Sequence, residues 1–176
     1  MDNKKKTKKL AVSAMLSALG VVILYLGSVL NVLDLTAVAI VSLFMYFAIE
    51  EIGSPYYFWI YGVVGILSLL FLPDKFAAVA FITLGGLYPM LKPPLDKLPK
   101  IPSALCKLIY FNVILTALIA ASLFVLHVED EDLGFNILTY ILGNFAFITY
   151  ELALNVIMKA YRSVLRDRLR INSLFK

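Results

Sequence analysis

Residues 8–30 read KKLAVSAMLSALGVVILYLGSVL. Two lysines lead into an uncharged run, Leu10–Leu30. A helix needs roughly 20 apolar residues to cross the hydrocarbon core of a bilayer, and this run supplies them. It is longer than the roughly 7–15 apolar residues of a signal peptide, and further runs of the same kind follow it. It therefore reads as a retained first membrane helix.

Working outward, the same reading gives five more. After a short loop, Asn31–Asp34, a second helix is expected over about Leu35–Ile49. Glu50, Glu51, Gly53, Ser54 and Pro55 read as a turn, with Pro55 placed to open the next helix, about Tyr56–Leu72. Pro73-Asp74-Lys75 is a tight turn before a fourth helix, about Phe76–Leu91. The segment Lys92–Ser103 holds Pro93, Pro94, Pro99 and Pro102, so it cannot be helical throughout. A fifth helix covers about Ala104–Leu126 and a sixth about Phe135–Met158, separated by the acidic loop His127–Gly134. The fold class is all-α: an integral membrane six-helix bundle in a single domain, residues 1–176. Helices 2, 3 and 4 are short for a full span, and are expected to extend into their loops or to thin the bilayer.

Charge gives the orientation. Of sixteen Lys and Arg residues, five precede the first run, four flank the Pro-rich segment (Lys92, Lys97, Lys100, Lys107) and six follow the last run. Only Lys75 falls on the opposite side. Basic residues in short loops stay cytoplasmic. Both termini, including the basic segments 1–9 and 159–176, are therefore expected inside a bacterial-type cell membrane. Composition agrees. Hydrophobic residues make up 61% of the chain, and the mean hydropathy is +0.88. Soluble domains hold about 45–50% apolar residues, so the excess fits a chain solvated by lipid. The net charge of +4 belongs to residues that flank apolar runs, where anionic headgroups explain it and nucleic acid is not called for. A single cysteine, Cys106, rules out an intramolecular disulfide and a cysteine-based metal cluster.

Two patterns stand out inside the helices. In helix 1, Ala11, Ala14 and Ala18 recur at spacings of three and four and share one face, with Ser13, Ser17 and Gly20 as a second small flank. Small residues let helices approach closely in lipid. The Ala face either packs within the chain's own bundle or meets a partner. In helix 6, Tyr140, Asn144, Glu151 and Asn155 form one polar stripe, and Asn112 and Thr116 sit one turn apart on helix 5. An ionisable group inside a span, as Glu151 is, is a functional candidate by default. The same groups also serve as interhelical hydrogen bonds, so Asn112, Glu151 and Asn155 are read as intramembrane polar support.

The Lys-rich start, the segment KKLAVSAMLSALGVVILYLGS, its AxxxA pair at Ala14 and Ala18, and the VLDL segment that follows resemble the substrate-binding S components of energy-coupling-factor (ECF) vitamin transporters. Six helices, internal termini and a length under 200 residues are also similar. The resemblance covers about Lys8–Ala37. It implies that Ala14 and Ala18, with Ala11, dock on a membrane scaffold subunit driven by a pair of ATPases. It also implies a solute held near the outer side, by Asn31, Asp34, Tyr140 and Asn144. The outer half has almost no basic residues, which favours a small neutral or cationic solute. The alternative is a membrane scaffold or morphogenesis protein resembling the rod-shape MreD type, with no small-molecule substrate.

Catalysis finds no support. The chain has no Ser–His–Asp set, no HExxH and no phosphate-binding Gly loop, so no enzyme, metal or cofactor is expected. His127 beside Glu129, Asp130, Glu131 and Asp132 reads as a solvated acidic loop. Tyr56, Tyr57, Trp59 and Tyr61 read as an interfacial aromatic belt. Gly85-Gly86 reads as close helix packing.

Overall fold

The computed structural model describes residues 2–30, 34–124 and 137–165. Among these the secondary structure is helical, with no strand. α1 is Asp2–Leu30, and α2 is Asp34–Phe47, continued by a π-helical turn, Ala48–Ile52. α3 is Tyr56–Phe71. α4 (Lys75–Ala80), a π-helical stretch (Phe81–Leu87) and α5 (Tyr88–Leu95) make one continuous rod. α6 is Lys100–Phe124, and α7 is Ile137–Ala160 with a π-helical turn, Tyr161–Leu165, after it. These are six helical rods, five of them long and apolar enough to cross a membrane. The sixth, α3, has 16 residues, about 24 Å at 1.5 Å per residue, against a core of about 30 Å.

Of the helices read as short, two extend and one does not. α2 and its π turn run on to Ile52, so Glu50 and Glu51 are helical and the turn proper is Gly53–Pro55. Gly53 has φ 80°, where a Cβ is strained and glycine is not. The α4–α5 rod passes through Pro93 and Pro94 to Leu95, four residues into the Pro-rich segment, which as expected is not helical throughout. A proline deletes one helical donor and crowds the carbonyl four residues back, but it does not forbid helix. The helix breaks within the segment at Asp96–Pro99, where Lys97 N–H reaches Pro94 O at 3.3 Å and Leu98 N–H reaches Leu95 O at 3.1 Å. α1 starts eight residues before the apolar run, because lysine is a good helix former.

The chain divides into two compact units, Met1–Met90 with Leu154–Lys176, and Leu91–Ala153. In the first unit α1 packs on α2 and α3, and α2 packs on the π stretch of the α4–α5 rod. The core holds Leu24, Val41, Met45, Ile60, Val64 and Phe81. Gly85 and Gly86 set the closest approach. A Cβ on Gly86 would lie 2.4 Å from Tyr61 Cδ2, and one on Gly85 2.9 Å from Val38 Cγ1. Their role in close packing, read from sequence, is what the geometry requires. In the second unit α6 runs antiparallel to α7, with Phe111 stacked on Phe147 at 4.5 Å between ring centroids.

Candidate functional site

The polar residues of the second unit form layers across α6 and α7. Asn112 Nδ2 donates to Asn144 Oδ1 at 2.9 Å, and Asn144 Nδ2 donates back to Asn112 Oδ1 at 3.0 Å. One turn further along, Thr116 and Tyr140 share a hydroxyl hydrogen bond of 2.9 Å. At the other end Glu151 Oε1 accepts from two ammonium groups, Lys92 Nζ and, at 2.7 Å, Lys107 Nζ. Lys107 also pairs with Asp96, and Lys92 Nζ lies 3.6 Å from Asp96 Oδ2. The result is a quartet of two cations and two carboxylates, neutral in sum. Lys92 is 4% exposed at its side chain and Glu151 15%, while Asp96 is the open member at 44%. Such a cluster belongs in an apolar segment only when every charge is matched, since an isolated buried ion costs several kcal/mol.

The stripe Tyr140–Asn144–Glu151 therefore lies along one side of α7, and each member has its own partner. Asn112 is joined to Asn144 and Glu151 to the two lysines. Asn155 is exposed on α7. Sequence reading gave Lys92 and Lys107 to topology alone and missed them as partners of Glu151. The i,i+4 spacing of Lys92 and Asp96 and the need of a carboxylate in a span for a cation near its own depth signal that charges pair here, but neither names which lysine meets Glu151. Arg162, a basic residue near the end of α7, goes elsewhere: its Nε donates to Glu50 Oε1 at 2.6 Å in the first unit. An open trough of about 460 Å³ follows α6, lined by Leu105, Leu108, Ile109, Asn112, Val113 and Thr116. All six come from one helix, so the trough is a face of that helix and not an enclosed cavity.

In the first unit α1 has two faces. Ser13, Ser17, Gly20, Leu24 and Ser28 are buried, and Ala11, Ala14 and Ala18 are exposed. The serines behave as small apolar residues because their hydroxyls are satisfied within the helix: Ser13 Oγ donates to Lys9 O at 2.8 Å and Ser17 Oγ to Ser13 O at 2.9 Å. Packing inside the unit uses the Ser–Gly flank, and the Ala face is left over. Met15, 65% exposed, and Leu19, 43% exposed, border it.

Of the residues assigned to a solute, Asn31 lies outside the described residues. Asp34 opens α2, and its Oδ1 is buried with no hydrogen-bond partner among the described residues. Asp74, which meets Asp34 through its charge and a side-chain hydrogen bond, caps α4 by accepting from Phe76 N–H at 2.9 Å, and its own N–H donates to Ser28 Oγ at 3.0 Å. Lys75 Nζ donates to Leu69 O and Leu72 O at 2.9 Å each. Tyr140 and Asn144 belong to the second unit, in the layers described above. Among the described residues no group of three or more His, Cys, Asp and Glu could hold a metal.

No protein-family model, no curated protein and no solved structure matches the chain.

Proposed function

We propose that this chain is a membrane-embedded solute-capture subunit of a multi-subunit transporter for a vitamin-like small molecule, working as an ECF S component does. One observation carries the reading: the Ala11, Ala14 and Ala18 face of α1 is exposed and not consumed by packing among the described residues. A ridge of small residues facing outward from a membrane helix favours a second helix at close range, because packing and not hydrophobicity drives association in lipid. In this reading the ridge docks on a scaffold subunit that an ATPase pair drives. The protein sits in the cell membrane with both termini cytoplasmic, and the solute enters from outside.

Asp34 Oδ1 makes no hydrogen bond among the described residues, and Asp34 and Asp74 stand together as two carboxyl groups, which supports a solute that brings a donor or a positive charge. A buried carboxylate oxygen without a partner is an expense that a ligand relieves. Native mass spectrometry of the purified protein tests the reading, with a co-purifying small solute and scaffold and ATPase subunits as the expected result. A protein that carries partner chains and never a small molecule fits the second reading, a membrane scaffold. That reading has its own support. Asn112, Asn144, Thr116 and Tyr140 satisfy one another, as groups do when their task is to join helices.

A further inference from the structure

Residues that face one another on α6 and α7 run in opposite order. Lys107 meets Glu151, Phe111 meets Phe147, Asn112 meets Asn144, and Thr116 meets Tyr140. Leu115 lies against Gly143, where a Cβ would come 2.9 Å from Leu115 Cδ2. The facing residue falls by about four on α7 for each rise of four on α6, so one helical turn is the natural unit of error. A slip of one turn is not excluded by the neutral polar layers. Slipped one way, Asn112 faces Tyr140; slipped the other way, Thr116 faces Asn144. Either arrangement keeps a pair able to hydrogen-bond. The charges are less tolerant. The first slip sets Lys107 against Phe147, and the second sets Glu151 against Phe111.

We propose that the Lys92–Asp96–Lys107–Glu151 quartet is a register lock: it selects one antiparallel register of α6 on α7 and folds the α5–α6 turn onto it, and adds little net stability. The physical basis is an asymmetry. A buried ion cluster replaced whole by apolar side chains leaves a protein as stable as before or more so, whereas a cluster broken by mispairing leaves an uncompensated charge in an apolar setting. Buried polar groups that fix register are the best-attested use of such clusters. The turn needs the same help. Pro93 and Pro94 remove two backbone donors from the end of α5, and the chain leaves the helix on the Asp96 N–H bond to Lys92 O at 2.8 Å. Lys92 and Lys107 clamp Asp96 from α5 and from α6, so the turn is fixed to both helices and, through Glu151, to α7. The lock stands whether or not the chain captures a solute.

Disulfide trapping in detergent-purified full-length protein tests it, in a Cys106→Ala background. Leu115→Cys with Gly143→Cys reports the native register. Leu115→Cys with Thr139→Cys reports one slip, and Ile119→Cys with Gly143→Cys the other. With the quartet intact, oxidation should join only the native pair. In the variant Lys92→Met, Asp96→Asn, Lys107→Met, Glu151→Leu, the protein should stay monodisperse and unfold at no lower temperature, while the slipped pairs rise about tenfold or more relative to the native pair, because no buried charge opposes them. Inverting the quartet (Lys92→Glu, Asp96→Lys, Lys107→Glu, Glu151→Lys) preserves every attraction and should restore trapping at the native pair alone. Native-only trapping in the apolar variant overturns the proposal. So does an apolar variant that fails to fold, because the quartet would then supply stability. Slipped trapping in the inverted variant, or its failure to fold, also overturns it.

Discussion

Glu151 sits in a helix long and apolar enough to cross a membrane, and its carboxylate accepts from the ammonium groups of Lys92 and Lys107. Lys92 and Lys107 were absorbed by a rule about loops, since four basic residues around a Pro-rich segment satisfy a topology argument without further explanation. Whether a lysine near the end of a span points to the headgroups or back to a carboxylate depends on three-dimensional neighbours, and no local pattern decides it. Once the pairing is known, the consequence of a mild substitution changes. Glu151→Gln keeps shape and some hydrogen bonding, yet leaves two ammonium groups around a neutral amide with only the half-open Asp96 to balance them. Loss of one partner from a buried charge cluster costs about 3–5 kcal/mol, so a clear fall in thermal unfolding temperature in detergent is expected; an unchanged midpoint would show that the charges are not coupled. Gly86 is a second residue whose role is steric. A methyl group there would meet the Tyr61 ring at 2.4 Å. The ring is held, since Tyr61 OH donates to Ile82 O at 3.2 Å. Overpacking of this sort costs about 1–3 kcal/mol, and Gly86→Ala should lower the unfolding midpoint where Gly62→Ala, with open space around it, should not.

Among the elements, α1 shows where sequence reading stops. Both of its small-residue flanks, Ala11–Ala14–Ala18 and Ser13–Ser17–Gly20, have the spacing for close packing, and periodicity names a face without saying what covers it. The helices packed on α1 are α2 and α3, and which flank they cover is set by the fold and not by the spacing within α1. It yields an expectation with a built-in control. Ala14→Trp together with Ala18→Trp adds bulk to an exposed ridge and should leave folding and any solute binding intact, while removing a partner that docks there. Ser17→Trp puts the same bulk on the buried flank and should abolish folding. Size-exclusion profiles give the folding result, and native mass spectrometry gives the partner. A double Ala variant that aggregates as Ser17→Trp does would return the Ala face to the bundle and remove the main support for docking. Helix ends show a related limit. The apolar runs located all six rods, but π turns at Ala48–Ile52 and Phe81–Leu87 and helix through Pro93 and Pro94 could not be read, because propensity is a weak prior that tertiary packing overrides.

For the whole molecule, the all-α architecture and the five membrane-length helices among the described residues follow from hydropathy alone, as an apolar solvent demands that every backbone group be satisfied within its own helix. Sidedness is a separate matter and rests on charge. In the central segment Lys92 and Lys107 are neutralised by Asp96 and Glu151, which leaves Lys97 and Lys100 as its exposed cations. On the proposed topology they share a side with the basic residues ahead of α1 and after the last apolar run, and Lys75 alone lies opposite. Asp and Glu contribute little to orientation, so pairing within the folded protein does not weaken the signal read during insertion. The short α3 does not disturb it either, because mismatch of a few Å is accommodated by local thinning at fractions of a kcal/mol per Å. The expectation is that a cysteine at Lys97, exposed on the turn, stays unlabelled by an impermeant thiol reagent in intact cells, and that one at Asp132 reacts. Both need the Cys106→Ala background, since Cys106 is itself exposed. After the membrane is opened, both should react. Labelling of the Lys97 site in intact cells would reverse the orientation, put Asp34 and Asp74 on the cytoplasmic side and remove the outward-facing capture site, whatever the fate of the register between α6 and α7.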